Sequence, residues 1–461
     1  MPSTTAEKLA RLVAFPTESR TPNRALIDWV AERCEAAGGR VNIIDGAGQC
    51  HDTAGRSIAA EAEGGTASRG DAVPPGSDFS TRDVPTLEPS RVKSRHDNRS
   101  SATGTRTAAG TTAAAGRGAA IPGPDRVNLL ASFGPDRPGG LMLSGHTDVV
   151  PAGTGWATDP YRLTRADHRW HGRGSADMKG FIASTLTIIE RVGVTTLAAP
   201  LHLALSFDEE IGCIGVRGLL AAVESLGEVR PDLVVVGEPS MMRPRHRHLG
   251  KVGYEMTFGS TAAHSSLSYR IPSAIAAAGR FIAALDDIGR AAALDAAGNE
   301  PEVTVNCGTV NGGAGMNVIA EWCQLMFELR HTAGRDPDAA LGPLWTMAGA
   351  IHDELSHHGS GVAALETVRY PALATLADQP MVQLVEQVAA AGECTPLGFG
   401  TEGGLFAAAL DIPVVICGPG DIAVAHRADE YVTIDQLDRC DRFLTDLVRS
   451  ACGTPAPGYL V

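Results

Sequence analysis

Apolar segments that alternate with helical segments constrain the fold of this chain more than any other feature. Four such segments follow one another between residues 126 and 240: "RVNLLASFG", "GLMLSGHTD", "LHLALSFDEE" and "PDLVVVGEPS". The amphipathic pattern of "DMKGFIASTLTIIERV" predicts a helix between the second and the third. Strands that alternate with helices are typical of an α/β fold, so we expect a largely parallel central sheet flanked by helices.

The same texture occurs before this region and returns after it. Residues 5–38 carry helical periodicity and precede the short strand "RVNII", and the C-terminal part adds helices around the apolar "IPVVICGPG". Between residues 248 and 362, two pairs of strand-like segments with helices between them indicate a smaller α+β unit. Because 461 residues exceed one compact core, we expect an α/β domain built from residues 1–47, 126–247 and 363–461, with the α+β domain inserted.

Residues 48–125 interrupt the α/β domain and have a different composition. The stretch is rich in Gly, Ala, Ser, Thr and Pro, and it has no Val, Ile, Leu, Met or aromatic residue from Lys93 to Ala120. Such a segment buries too little apolar surface to offset the entropy lost on ordering. We predict a disordered insertion and assign it no function, although its arginines leave a nucleic-acid-binding arm as an alternative.

The bulk composition excludes several classes of partner. A net charge of -14 argues against a nucleic-acid-binding protein, and the sequence has no apolar run long enough to span a membrane. The nine cysteines are dispersed without a CxxC pair, which is typical of reduced thiols. Since the first residues also lack a signal-peptide pattern, we expect a cytoplasmic protein that acts on a small molecule.

Histidines and carboxylates cluster where the predicted strands end. In open α/β sheets, sites form at the carboxyl ends of the strands. The residues found there or in the adjoining loops are His146, Asp148, Asp177, Asp208, Glu209, Glu210, Glu238 and His426. Imidazole and carboxylate groups together suit Zn²⁺ or a similar divalent ion. There are more carboxylates than one ion needs, which favours two metal ions that share a bridging carboxylate.

Two features of this cluster suggest how it works. Glu209 and Glu210 are adjacent, so one can bind metal while the other acts as a general base. His146 and Asp148 lie two positions apart on an extended chain and share a face, so Asp148 can hold the imidazole in one tautomer. Cations would also stabilise three consecutive acids, beginning with Asp208, at the end of a buried strand.

The motifs "SGHTDVVP", "GRGSADMKG", "FDEEIGCIG", "VGEPSMMRP" and "AHRADEY" resemble, in this order, those of the M20 family of dinuclear-zinc amidohydrolases and peptidases. The resemblance covers nearly the whole chain apart from the insertion. It implies one metal ion bound by His146, Asp177 and Glu238, and a second bound by Asp177, Glu210 and His426. It also implies that Glu209 is the general base and that Asp148 is the carboxylate beside the ligand histidine.

The resemblance further implies that the inserted domain is a ferredoxin-like lid and dimerisation domain in a homodimer. His264 in "AAHSS" would stabilise the oxyanion of the reaction, often from the partner subunit. Asn317 in "GGAGMNV" and Arg330 in "FELR" would bind the substrate carboxylate, and Glu402 in "GFGTEGGLF" would lie in the substrate pocket. We exclude as ligands the "RHRH" segment at 245–248, interpreted as a basic loop, and three histidines at a helix end, His352, His357 and His358.

These expectations combine into a metal-dependent hydrolase of the amide bond of an N-acyl amino acid, with N2-acetylornithine as the leading substrate. The expected cofactor is a pair of Zn²⁺ ions, with Co²⁺ as the alternative. Another hydrolase of the same family, such as an aminoacylase, a dipeptidase or a deacetylase of another diamino acid, stays open. A catalytically inactive metal-binding homologue is disfavoured because every expected ligand and the base are present.

Overall fold

The computed structural model describes residues 4–53, 125–192, 197–297, 299–390 and 395–453. Most of the predicted insertion at 48–125 therefore lies outside the described residues. Its first residues are described, and they contain the short strand Cys50–His51, which pairs with Arg40–Ile44. The chain therefore continues the sheet by backbone pairing at the first residues of the predicted insertion.

The described residues form helices and strands with the following bounds. The helices are α1 (Thr5–Val13), α2 (Arg24–Ala36), α3 (Lys179–Val192), α4 (Gly215–Leu226), α5 (Ala274–Asp295), α6 (Pro337–Ser356), α7 (Pro380–Ala389), α8 (Gly403–Leu410) and α9 (Ile434–Cys452). The strands before residue 249 are β1 (Arg40–Ile44), β2 (Cys50–His51), β3 (Asn128–Phe133), β4 (Leu141–His146), β5 (Thr164–Ala166), β6 (Arg169–His171), β7 (Leu201–Ser206), β8 (Leu233–Pro239) and β9 (Arg245–His248). The later strands are β10 (Gly250–Gly259), β11 (Ala263–His264), β12 (Val303–Gly312), β13 (Val318–Ile319), β14 (Trp322–His331), β15 (Gly361–Tyr370), β16 (Leu373–Ala374), β17 (Thr395–Pro396), β18 (Val414–Gly418) and β19 (Tyr431–Thr433).

Several helices begin where the sequence offers a side-chain cap. Thr4 accepts a hydrogen bond from the backbone of Glu7 while Glu7 bonds back to the backbone of Thr4, a capping box at the start of α1. Ser273, Asp336 and Thr433 cap α5, α6 and α9 in the same way, each accepting a backbone N–H of the first turn. These caps satisfy N–H groups that the helix itself leaves unpaired.

The central sheet is parallel in its middle and antiparallel at its edges. Its strand order is β16-β9-β18-β8-β4-β7-β3-β1-β2, with β17 paired to β9. The four middle strands β18, β8, β4 and β7 are parallel to one another. This confirms the predicted α/β fold with a largely parallel sheet, and it places the carboxyl ends of these four strands at one edge.

Helices cover both faces of the central sheet. One apolar core joins the sheet to α1, α2, α3, α7 and α9, and the other joins it to α4 and α8. Strands covered on both faces are expected to be buried along their whole length and largely apolar, as β4, β7 and β8 are. Helix α3, which we predicted to be amphipathic, is buried at every position from Lys179 to Ile189 because α1 and α9 cover its outer side.

The segment 245–248 is a strand rather than the predicted basic loop. As β9, it pairs with β16, β17 and β18, and its residues alternate in burial so that His246 and His248 point inward. The strand joins the central sheet just before the chain enters the second sheet. Neither histidine belongs to a group of candidate metal ligands among the described residues.

The inserted unit contains a second sheet of four antiparallel strands, in the order β12-β14-β10-β15. With α5 and α6 packed on one face, the chain order is βαββαβ, which is the ferredoxin-like arrangement. The predicted division at 362–363 falls within β15. This strand continues to Tyr370 because it pairs along the whole length of β10, from Gly259↔Gly361 to Lys251↔Tyr370.

A helix that crosses a bilayer needs about 20 consecutive, predominantly apolar residues. Across the described ranges, every helix is too short or too polar to cross a membrane.

Candidate active site

The candidate site lies at the carboxyl edge of the parallel strands. His146 is the last residue of β4, Glu238 lies near the end of β8, and Glu209 and Glu210 follow β7 by a few residues. Asp177 lies in the loop before α3, and His426 lies in the loop after β18. The fold thereby brings side chains from distant parts of the chain to one edge, as the sequence predicted.

The first group of candidate ligands consists of His146, Asp177 and Glu238, all buried. The Nε2 atom of His146 lies 3.0 Å from Oδ1 of Asp177 and 3.6 Å from Oε1 of Glu238. One ligand atom from each residue falls within 4.8 Å of the others. The donor set, one imidazole and two carboxylates, suits a borderline divalent ion such as Zn²⁺.

The second group consists of Asp177, Glu210 and His426. The Nε2 atom of His426 lies 3.0 Å from Oε2 of Glu210 and 3.2 Å from Oδ2 of Asp177. Asp177 therefore turns one oxygen towards each group, which is the arrangement a bridging carboxylate needs. His426 is 48% exposed and forms the open side of the site.

The electrostatics of the site indicate a deficit of positive charge. Burial, more than any other cause, raises the pKa of Glu209 and Glu238 well above the ordinary value and that of Glu210 to about 7. Hydrogen bonds to Asp177 and Glu210 raise the pKa of His426 to about 10. Carboxylates crowded in a buried site disfavour ionisation unless cations pair with them, so the residues fit a pair of divalent ions.

Asp148 organises the site without belonging to either group. The backbone oxygen of Asp148 accepts a hydrogen bond from Nδ1 of His146 at 2.9 Å, and its carboxylate lies 3.6 Å from the same nitrogen. The carboxylate also accepts the backbone N–H of Glu209 at 3.1 Å and the hydroxyl of Ser19 at 2.8 Å. Asp148 thus orients the imidazole through its backbone as well as its side chain, and it holds the loop that carries Glu209.

Asp208, the first of the three consecutive acids, is stabilised by protein rather than by the candidate metal site. Its buried carboxylate forms an ion pair with Arg126 and accepts the backbone N–H of Arg20 at 2.5 Å. Its φ is +53°, a left-handed conformation that ends the strand and turns the chain towards Glu209. Our expectation that cations stabilise all three acids is therefore wrong for Asp208, because Arg126 already supplies the charge.

Glu209 lies next to the two groups and has a different neighbour. Its Oε1 accepts the Cys213 thiol at 3.3 Å, across a tight turn in which the backbone N–H groups of Gly212 and Cys213 bond to the Glu209 carbonyl. Outside both candidate groups, a carboxylate with a raised pKa beside them has the features of a general base.

Glu402 is almost completely buried at the start of α8. It is 1% exposed, its Oε1 accepts the Ser206 hydroxyl at 2.5 Å, and burial raises its pKa to about 7. Its charge acts on Glu209, and the charges of His146 and Asp148 act on it, so the carboxylate lies near the candidate site. The prediction that Glu402 lies in the substrate pocket stays a prediction.

The three candidate residues of the inserted unit are His264 on β11, Asn317 just before β13 and Arg330 on β14. His264 is exposed, and its Nδ1 lies 2.9 Å from the Ser266 hydroxyl, while the carbonyl of Asn317 accepts the next backbone N–H, that of Ser265. Within the described part of the chain, neither His264 nor Asn317 makes a hydrogen bond or ion pair with a candidate ligand. Arg330 is paired with Glu328 at 2.9 Å. Their predicted roles stay predictions.

Glu430 is a site residue that the sequence reasoning missed. Its buried carboxylate accepts the Arg173 guanidinium at 2.7 Å and the backbone N–H groups of Gly174, Ala176 and Asp177 at 2.9 to 3.1 Å. It thus holds the loop that presents Asp177 to both groups. The signal was its place four residues after His426 in "AHRADEY", but no pattern shows that a carboxylate will face a loop so far away in sequence.

Comparisons with known proteins identify the family of the chain. Residues 142–450 match the model of peptidase family M20/M25/M40. An acetylornithine deacetylase of Pasteurella multocida is 31% identical over 71% of this chain and 84% of the relative, and one of Myxococcus xanthus is 34% identical over 72% and 86%. A tripeptidase of Staphylococcus aureus has a TM-score of 0.64 at 16% identity, with 97% of each chain covered. A dipeptidase of Saccharomyces cerevisiae has a TM-score of 0.61 at 14% identity, with 96% of this chain and 95% of the other covered. At these identities, the two structures support the fold and nothing beyond it.

The fold, the paired groups of candidate ligands and the separate carboxylate define a metal-dependent hydrolase. With two thirds of its length matched by one family model and curated relatives above 30% identity, the chain belongs to peptidase family M20/M25/M40.

Proposed function

We propose that the protein hydrolyses the amide bond of N-acyl amino acids and that N2-acetylornithine is its substrate. The observation that carries this proposal is the pair of ligand groups that share Asp177 beside the separate carboxylate of Glu209. The named relatives, acetylornithine deacetylases that this chain matches over most of their length, support the choice of substrate.

The ligand sets favour Zn²⁺ at both positions. His146, Asp177 and Glu238 would hold one ion, and Asp177, Glu210 and His426 the other. When bound, a pair of divalent cations polarises the amide carbonyl and lowers the pKa of water. The protein's own contribution is to hold the donor atoms in place before substrate arrives: five residues supply six of them, since Asp177 contributes to both groups. Asp148 orients His146, and Glu430 holds the loop that carries Asp177.

Glu209 would move the protons of the reaction. Its carboxylate accepts a proton from the attacking water and returns that proton to the leaving amine. Burial, the first cause, raises the pKa of Glu209, and a raised pKa favours the uptake of a proton from water. The Cys213 thiol occupies Oε1 and leaves Oε2 for the water.

His264 would act from a partner subunit in a homodimer. Its exposure, and its lack of contact with the ligand groups of its own chain in the described residues, support this part of the proposal. A neutral or protonated imidazole N–H at the scissile carbonyl would stabilise the developing oxyanion.

A substrate panel with metal analysis tests the proposed function. Purified protein loaded with Zn²⁺ is assayed on N2-acetylornithine, succinyl-diaminopimelate, acetylmethionine and a dipeptide, and metal per chain is measured on the same preparation. We expect the highest kcat/KM on N2-acetylornithine. A preference for the dipeptide or for acetylmethionine would replace the proposed substrate and leave the family assignment intact.

The Glu209→Ala variant tests the base. Since a positioned general base contributes about 10²- to 10⁴-fold, turnover should fall by that factor while the metal content stays the same. Equal turnover in this variant would refute the role of Glu209, and lost metal would mean that it is a ligand instead.

A further inference from the structure

The second sheet presents a row of polar side chains on the face that its helices leave open. Lys251 on β10 is paired with Arg330 on β14 and with Tyr370 on β15, so the three residues lie side by side across the sheet. Residues directly opposite one another on neighbouring strands share a face. The adjacent row contains Val252 and Leu329, which belong to the core under α5 and α6. The Lys251 row therefore lies on the opposite face.

Strand β15 packs this open face against two loops of the candidate site. A Cβ atom built on Gly400, in the loop before Glu402, would overlap the Cε2 and Oη atoms of Tyr370. A Cβ atom on Gly212, in the turn after Glu209, would lie 2.8 Å from the Val368 side chain. Tyr370 is thus seated where the second sheet meets the loop that carries the proposed base, and the absence of a side chain at Gly400 makes room for its hydroxyl end.

The Tyr370 hydroxyl has no hydrogen-bond partner among the described residues, although the side chain is only 8% exposed. Its ring packs edge-on against His248 at 6.5 Å, which fixes the ring but not the hydroxyl. Burial, before any neighbouring charge, raises the pKa of Tyr370 well above its ordinary value, and Cys213, Arg330 and Glu209 act on it electrostatically. The hydroxyl oxygen is not among the fully buried atoms that lack a partner, so a ligand that enters beside the ring can accept its hydrogen bond.

Positive charge surrounds the same place on the open face. Glu328 bonds both Lys251 at 2.6 Å and Arg330 at 2.9 Å, so two cations share one carboxylate. The excess charge suits a substrate carboxylate, which accepts hydrogen bonds readily from guanidinium and hydroxyl donors together.

We propose that Tyr370 is a substrate-binding residue whose hydroxyl donates a hydrogen bond to the α-carboxylate of the bound amide, beside Arg330. This inference rests on the proposed function, which places the scissile amide next to Glu209. It assigns the residue that selects amino-acid amides over simple amides. Tyr370 acts on binding rather than on the chemical step, because the carboxylate is present in the ground state and the transition state alike.

The test separates the hydroxyl from the ring. In Tyr370→Phe, KM for N2-acetylornithine should rise about 10- to 100-fold with kcat nearly unchanged, as expected for one lost hydrogen bond to a charged group. N-acetyl-1,4-diaminobutane, the same amide without its carboxylate, should bind the wild type and the variant equally as a competitor. Tyr254→Phe removes a hydroxyl that bonds Glu366 on the helix-covered face of the same sheet and serves as the matched control.

A second pair of variants tests the position of the hydroxyl. Gly400→Ala should push the Tyr370 hydroxyl out of place and raise KM in the same way. Gly398→Ala, two residues earlier in the same loop and with open space at its Cβ position, should leave KM unchanged. Thermal unfolding of all four variants checks that each one folds.

The outcomes distinguish this inference from the proposed function. Unchanged KM in Tyr370→Phe overturns the inference while N2-acetylornithine hydrolysis stands. An equal loss of affinity for the competitor without a carboxylate also overturns it, since the hydroxyl would then serve the amide. If the panel instead shows cleavage of a dipeptide with a carboxylate-dependent rise in KM, the proposed substrate fails and the inference holds. Calorimetric binding of ornithine to the Zn²⁺-loaded wild type and Tyr370→Phe gives the same comparison without turnover, and equal affinities there refute it.

Discussion

The carboxylate cluster of the central sheet and the exposed polar residues of the inserted unit differ in how completely one chain assembles them. His146, Asp177 and Glu238 are buried, and one ligand atom from each lies within 4.8 Å of the others. His264 and Asn317 are exposed and contact their own turn. The first region is held together by contacts within one chain, whereas in the described residues the second makes no hydrogen bond or ion pair with a candidate ligand.

This difference follows from the two architectures. Parallel strands end at one edge, and short loops carry their polar residues to a common point that helices on both faces keep rigid. The second sheet has helices on one face only. The positions of the side chains on its other face and in its loops therefore depend on the groups that pack against them. At Tyr370 the second sheet already contacts a loop of the central domain within one chain, since a Cβ atom on Gly400 would overlap the Tyr370 side chain.

The largest effect should come from the carboxylate that both ligand groups share. Asp177→Ala removes a donor from both groups, so metal per chain should fall at both positions and turnover should drop by more than about 100-fold. His426→Ala alters one group only and should retain the ion held by His146 and Glu238. Metal analysis by mass spectrometry checks this. Equal metal loss in the two variants would contradict the bridging position.

His264 offers a test of completion by a second copy. His264→Ala should lower kcat by about 10²- to 10³-fold without loss of metal, the effect of removing one oxyanion donor. Mixing His264→Ala with Glu209→Ala, each nearly inactive alone, should restore activity if the imidazole comes from the partner. Reassembly without any recovery, shown by mixed-dimer purification, would place His264 in the site of its own chain or outside the reaction.

Glu430 tests how strongly the loop before α3 supports the cluster. Glu430→Gln keeps the shape of the side chain but weakens its bonds to Arg173 and to the loop backbone. Metal affinity should fall about 10- to 100-fold, as for other residues that orient ligands. The exposed Glu224→Gln is the matched control. Competition with a chelator measures the affinities, and a value equal to the wild type would limit Glu430 to a structural role.

The smallest effect concerns pH and the central sheet. Burial lowers the pKa of His202 on β7 to about 4 from an ordinary 6.5, so the unfolded chain binds more protons between these values. Stability contributed by neutral His202 is complete above pH 6.5 and is lost as the pH falls towards 4, on the order of 2 kcal/mol by pH 5. The free energy of unfolding of the metal-free protein is measured with urea from pH 7.5 to 5. It should fall less steeply with decreasing pH in His202→Asn than in the wild type. His357→Gln, an exposed change after α6, should follow the wild type. Identical slopes in all three would exclude His202 as an acid-sensitive group.

The sequence alone determined the fold class and the edge at which the site lies. Alternation of apolar strands and helices predicts the parallel sheet, and the polar residues at the ends of β4, β7 and β8 predict the edge, because both depend on local periodicity and on one rule for parallel strands. The predicted roles of the residues at that edge came from spacing and from resemblance, and they remain proposals here.

Only the tertiary structure decided which acids face the common centre and which are satisfied elsewhere. Asp208, Glu209 and Glu210 are adjacent in sequence, yet Asp208 pairs with Arg126 while Glu210 faces His426. Glu430 bonds the loop before α3, 253 residues away at Asp177, and Glu402 bonds Ser206 at the end of β7, 196 residues away. Partners so distant in sequence leave no periodic signal, since burial and hydrogen bonding between loops are set by how the two sheets and their helices pack.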